Sequence, residues 1–262
     1  MTTTNRRGVL RAGAGLAAGG ALAAGCAETG ASVRPAASAA QAPVSGRPAA
    51  TPRTAPAPRT FPRHPVQITH GPRTRLRVAL TFHGQGDPAL ARHLLGEAEK
   101  HGARITVLAV GGWLDEHPGL ARRILDGGHD LGNHTQRHLA INAMSETDAR
   151  AEITACADRL KRLTGSIGTW FRPSRAPTAS SLVTRLAREA GYPHVLSYDV
   201  DSLDYTRPGA PAITRTVLDR ARAGSVVSLH FGYPDTVAAL PAVLHELGRR
   251  GLRAVTTTEL LS

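Results

Sequence analysis

Two histidines four residues apart, in His134-Thr135-Gln136-Arg137-His138, are the most specific chemical signal in the chain. Imidazoles at i and i+4 on a helical turn share one side and come within reach of one metal ion, so the spacing predicts a turn that offers a ligand pair. Gly132 permits an abrupt exit from the strand before it. Other polar groups stand out by position. His83 follows an apolar run, Arg172 precedes Pro173, two carboxylates lie in Asp201-Ser202-Leu203-Asp204-Tyr205, and His230 ends the run Ser225–Leu229. Imidazole ligates metals and moves protons near neutral pH, and a carboxylate beside it favours its charged form. Each of these has an ordinary structural reading alone; their joint order along the chain is what points to a site.

These groups need elements to position them, and the sequence supplies an alternation. Residues 76–82 read as a strand, and 87–101 as a helix with Asp87 as N-cap and Pro88 in the first turn. Strand 104–110, helix 113–127 and a short strand at 130–132 follow. Helix 145–163 has Ile153, Cys156, Leu160 and Leu163 on one face, which makes Cys156 a buried core thiol. Trp170-Phe171 marks a fourth strand, then helix 178–190, strand 193–198, helix 211–223, strand 225–229, helix 234–250 and strand 253–256. Strand–helix alternation predicts an α/β fold, a distorted seven-stranded parallel (β/α) barrel, TIM-like but incomplete. Chemistry in such barrels sits at the C-terminal ends of strands. His83, His134, His138, Arg172, Asp201, Asp204 and His230 all fall there.

Charge removes one class of function. Of the formal net charge of +12, residues 1–75 carry +9, from ten Arg against one Glu. The basicity belongs to a tail and not to a folded face, so no nucleic-acid partner is expected. Only Lys100 and Lys161 are lysines, and two cysteines exclude a disulfide scaffold or a Cys-rich zinc site.

The tail reads as an address. Asn5-Arg6-Arg7-Gly8-Val9-Leu10-Arg11 before an Ala/Gly/Leu run resembles a Tat export signal over residues 1–25. The run is too short to span a bilayer. Its end, Leu22-Ala23-Ala24-Gly25-Cys26, resembles a lipobox with Cys26 as the lipidated residue. Residues 26–75, rich in Ala, Pro and Arg, lack apolar periodicity and read as a disordered linker, with the folded domain at 76–262. The expected location is the outer face of the cell membrane, or secretion, with the membrane touched only through the lipid; the expected oligomeric state is a monomer.

Taken together the motifs resemble the polysaccharide deacetylase family, carbohydrate esterases with a NodB-homology domain. Thr81-Phe82 matches the start of its first motif, Thr-Phe-Asp-Asp-Gly. The stretch His134 to His138 matches the second in full. Phe171-Arg172-Pro173 matches the start of the third, Asp201 to Tyr205 the fourth, and Leu229-His230 the fifth. The resemblance implies a hydrolase that removes N-acetyl groups from amino-sugar polysaccharide, using a divalent ion, usually Zn2+. It implies His134 and His138 as ligands and His230 as general acid. Asp204 would orient His230, Arg172 the base, and the Arg175 backbone N–H would help hold the oxyanion. Tyr205, Arg175 and Asp201 would touch substrate.

The first motif departs from that pattern. His83 stands in the place of the base Asp and Gly84 in that of the metal Asp. Three repairs are open. His83 completes a three-histidine site of a kind zinc accepts; Asp87 swings back as ligand or base; or no metal binds and the domain grips cell-wall glycan without cleaving it. The expectation favours the enzyme, with His83 as ligand and Asp87 as base.

Overall fold

The computed structural model describes residues 55–262. The proposed signal peptide, Cys26 and most of the linker lie outside them. In chain order the elements are β1 (Gln67–Ile68), β2 (Arg77–Gly84), α1 (Pro88–Lys100), β3 (Thr106–Ala109), α2 (Gly111–Glu116), α3 (Gly119–Asp126), β4 (Asp130–Asn133), α4 (Glu146–Thr164), α5 (Ser181–Glu189), β5 (Val195–Leu196), β6 (Val200–Asp201), α6 (Ala210–Arg220), β7 (Val226–His230), α7 (Pro234–Arg249), β8 (Arg253–Ala254) and α8 (Thr257–Leu261).

Every ladder between these strands is parallel, as helical crossovers require. The sheet runs β4-β3-β2-β7-β6, with β8 beside the start of β2. Beyond β4 the single residue Phe171 bridges Asn133 to Val195, so the pairing continues to β5 and β1. The fold is the expected distorted parallel α/β barrel. Among the described residues no ladder joins β5 to β6. The expected fifth strand, 193–198, shortens to β5, which pairs with β1, while the separate β6 after it pairs with β7, and the fourth is one bridge.

Strand alternation sorts side chains between two cores. Along β2, Val78, Leu80 and Phe82 pack outward under the helices with Leu94, Leu95, Ile124 and Val227. Ala79 points inward, with Val226, Leu108, Trp170 and Leu196. The β2–β7 register pairs Ala79 with Val226, Thr81 with Ser228 and His83 with His230. The inward column therefore passes from apolar to polar to imidazole towards one rim.

Three boundaries differ from the sequence reading. Helix 113–127 is two helices, α2 and α3, because Pro118 cannot continue the first. The closing strand is short and gives way to α8, where Thr256 and Glu259 form a reciprocal capping box. Residues 55–75 are not free linker. Ala55, Phe61 and Ile68 are buried, Phe61 stacks on Trp170 with ring centroids 5.5 Å apart, and its N–H donates to His194 Nε2 at 2.9 Å. With Leu260 and Leu261 of α8 this strap closes the barrel end opposite the imidazoles. Three apolar anchors suffice there, and spacing so irregular shows no period in the sequence.

Candidate active site

His83, His134, His138 and His230 converge on the rim at the C-terminal strand ends. Ring centroids lie 4.2 Å apart for His83 and His134, 4.9 Å for His134 and His138, and 4.4 Å for His83 and His230. One nitrogen from each of His83, His134 and His138 falls within 4.8 Å of the other two. The His134–His138 segment is not the expected helical turn. It leaves β4 as an irregular loop in which Thr135 (φ 69°) and His138 (φ 56°) adopt left-handed backbone. That conformation is uncommon for such residues, and buried bonds impose it. Asn133 Oδ1 accepts from Thr135 N at 2.8 Å, while its Nδ2 donates to Ile153 O and Tyr192 Oη. The Glu152 carboxylate on α4 accepts from Arg137 N at 2.8 Å and Arg137 Nε at 2.6 Å. Asn133 and Glu152 were missed by the sequence reading. A carboxylate on the buried face of helix 145–163 was the available signal.

His134 is fully buried. Its Nδ1 donates to the Arg172 carbonyl at 3.0 Å, and its Nε2 has no partner. A buried imidazole fixed at one nitrogen and unpartnered at the other is the arrangement of a metal ligand. Burial pushes the pKa of His83 and His134 well below 6.5, with neighbouring imidazoles adding to it. Burial, then the Arg175 charge, brings His138 down to about 4. Neutral imidazoles are the ligand type that a divalent transition metal of the zinc kind takes.

His230 is set for proton transfer. Its Nδ1 lies 2.6 Å from Asp204 Oδ1, and Asp204 Oδ2 accepts from His230 N at 2.8 Å and Thr236 Oγ1 at 2.7 Å. The Asp204 carboxylate is wholly buried. It holds the imidazole proton on Nδ1 and leaves a lone pair on Nε2. Arg172, also buried, donates from Nη1 to Thr81 Oγ1 at 2.9 Å and His83 Nε2 at 3.2 Å, and from Nε and Nη2 to the Leu196 and Ser197 carbonyls. Burial lowers its pKa to about 9. A cavity of about 390 Å³ opens beside these groups, lined by His83, His138 and His230 with Gln85, Arg175, Asp201, Tyr205 and Tyr233. Tyr205 stands edge-on to the His230 ring at 5.4 Å, and Asp201 Oδ1 accepts from Leu203 N. Tyr233 and Gln85 carried no sequence signal.

Two first-motif expectations change. Asp87 neither lines the cavity nor joins the imidazoles. Its exposed carboxylate caps α1, with Oδ1 accepting from Ala89 N at 2.7 Å. An N-cap geometry turns the side chain along the helix, so Asp87 is not the base or a ligand in this arrangement. Gly84 faces outward by strand alternation. A Cβ there would meet Val107 Cγ1 at 3.0 Å, Ala109 Cα at 3.1 Å and Trp113 Cζ3 at 3.2 Å. Cys156 is buried in the outer core, and burial pushes its thiol up to about 12, as expected of a core residue.

The chain is similar to proteins of known family. Residues 70–195 match the family model for polysaccharide deacetylase. A peptidoglycan-N-acetylglucosamine deacetylase of Bacillus cereus is 32% identical over 194 residues, which cover 72% of this chain and 90% of the relative. Among solved structures, the Bc1960 peptidoglycan N-acetylglucosamine deacetylase superposes with a TM-score of 0.70 at 26% identity, covering 75% of this chain and 92% of that one. BA3943, a CE4 family pseudoenzyme from Bacillus anthracis, shares the fold with a TM-score of 0.71 at 23% identity, covering 76% and 70%. On the rim geometry and these likenesses, the chain belongs to the polysaccharide deacetylase family.

Proposed function

We propose that this chain is an exported, metal-dependent hydrolase that removes N-acetyl groups from an amino-sugar polysaccharide of the cell-wall type. The observation that carries the reading is the unpartnered Nε2 of buried His134, clustered with His83 and His138, which line a cavity together with His230. His134 and His138 would hold the ion, with the His83 ring beside them in the cluster. When bound, such an ion polarises a carbonyl and lowers the pKa of water.

The chain's own groups supply the proton steps. No carboxylate stands at positions 83 or 84, and Asp87 caps a helix. The lone pair on His230 Nε2 therefore takes the proton from the attacking water as its oxygen adds to the acetyl carbonyl. The same nitrogen returns that proton to the amide nitrogen as the C–N bond breaks, leaving a free amine and acetate. Asp204 stabilises the imidazolium between the two transfers. Tyr205 and Tyr233 line the cavity, where aromatic rings would meet a sugar.

The test measures zinc stoichiometry and acetate release from N-acetylated chito-oligosaccharide or peptidoglycan. A protein that binds zinc and releases acetate supports the reading. A second reading, glycan binding without cleavage, is favoured by the absence of a first-motif carboxylate and predicts binding with no acetate. The address reading adds a test of its own: Cys26→Ser moves an anchored protein out of the membrane fraction.

A further inference from the structure

The hydrogen bonds around His83 say more about it than its distance from the other imidazoles. Arginine carries only donors, so at 3.2 Å from Arg172 Nη1 the His83 Nε2 must accept. A proton on Nε2 would set donor against donor beside a wholly buried guanidinium. A neutral imidazole has one lone-pair nitrogen and one N–H. With Nε2 accepting, the proton resides on Nδ1, and His83 has no second lone pair to give.

Arg172 is badly placed to let go. Four of its five N–H groups are used, on Thr81 Oγ1, His83 Nε2 and the carbonyls of Leu196 and Ser197. Thr81 is held in turn, donating to the Val227 carbonyl at 2.7 Å. These acceptors sit on β2, on β5 and on the residue after β5, so a moving guanidinium would leave buried groups on the barrel wall unpaired. His134 differs: its Nε2 lone pair has no partner.

We infer that Arg172 withholds His83 from the metal, fixing it as the Nδ1–H tautomer so that the ion is held by His134 and His138 alone and His83 serves as a hydrogen-bond donor on the cavity wall. Arg172 is then a positioning residue, acting through His83. The claim rests on the metal reading above for its functional sense. It replaces the three-histidine ligand set, and it explains how the site dispenses with a carboxylate at position 83: the guanidinium that would orient one is occupied by an imidazole acceptor.

The experiment uses the protein stripped with a chelator and labelled with 15N at histidine. Long-range 1H–15N spectra read the protonated nitrogen of each ring directly, and zinc is then titrated in. The expected spectrum shows His83 protonated at Nδ1 and unprotonated at Nε2. On adding zinc, the His134 and His138 ring nitrogens move and those of His83 keep their tautomer. In parallel, His134→Ala and His138→Ala each weaken zinc binding by more than about tenfold, whereas His83→Ala changes it less than about threefold. A His83 ring protonated at Nε2, a His83 nitrogen that takes up zinc, or a tenfold loss in His83→Ala would overturn the inference. Should His83→Ala fail to fold, the wild-type spectra decide alone. No zinc binding by wild-type protein would sink the metal reading instead, and the tautomer in the zinc-free spectrum would still decide the claim about Arg172.

Discussion

Asp204→Asn removes one charge and, more damagingly, reverses the proton inventory of His230. Asp204 accepts from three donors: His230 Nδ1 at 2.6 Å, His230 N at 2.8 Å and Thr236 Oγ1 at 2.7 Å. The last two converge on Oδ2, and the backbone N–H among them cannot turn away. An asparagine must therefore keep its carbonyl oxygen at the Oδ2 position and turn its NH2 towards His230 Nδ1. A donor facing Nδ1 forces the imidazole proton onto Nε2. The nitrogen that has to accept a proton from water then has none of its lone pair free. The same tautomer reversal in the serine-protease triad lowers kcat about 10⁴-fold, and a loss of about 10³- to 10⁴-fold is expected here. Stability should fall far less. Two bonds to a charged acceptor become bonds to a neutral one and the third reverses direction, a loss of about 1 kcal/mol each that is partly offset by no longer burying a charge. The assay is acetate release from N-acetylated chito-oligosaccharide with zinc present, alongside thermal unfolding. A folded Asp204→Asn variant retaining more than about a tenth of wild-type kcat would refute the assignment of His230 as the proton carrier.

Other consequences can be measured on the same protein. Zinc at about 100 times its Kd should stabilise the fold by about 2.7 kcal/mol, visible as a higher Tm; His134→Ala should abolish that shift, and an unchanged shift would remove His134 from the ligand pair. His83, His134 and His138 have native pKa values below 6.5, so as pH falls through 6.5 the unfolded chain takes up protons that the native site refuses. Stability is full above that value and declines below it, for His138 down to about 4. The urea midpoint should be lower at pH 5 than at pH 7 and the difference smaller in His138→Gln; an equal difference in wild type and variant would contradict the assignment. Phe61, 8% exposed and stacked on Trp170, should cost about 3 kcal/mol when replaced by Ala. A chain beginning at Leu76 should melt well below one beginning at Ala55, and equal melting would show that the strap adds nothing.

The motif residues were legible because their types are chemically restricted and strand-end placement is a local property. Apolar runs ending in His83 and His230 set both imidazoles at strand ends, and alternation along β2 and β7 turned them inward together. The buried thiol of Cys156 followed from helical period alone. What the sequence could not carry was the direction of side chains beyond the ends of regular elements. The approach of His134 and His138 looked like a helical turn, yet it depends on left-handed backbone at Thr135 and His138, held by Asn133 and by Glu152 of α4, 15 residues on from the Arg137 it binds. Asp87 is close to His83 in sequence, but the first turn of α1 claims its carboxylate. The strap at 55–68 has the composition of a spacer and becomes structure only because the open end of the barrel offers Trp170 and Leu260 to cover. Above all, sequence spacing left His83 free to be ligand, base or bystander. Its partner Arg172 lies 89 residues away and meets it only when the barrel closes around both. Local patterns fix which atoms are available; which lone pair is already taken is settled by contacts between distant strands.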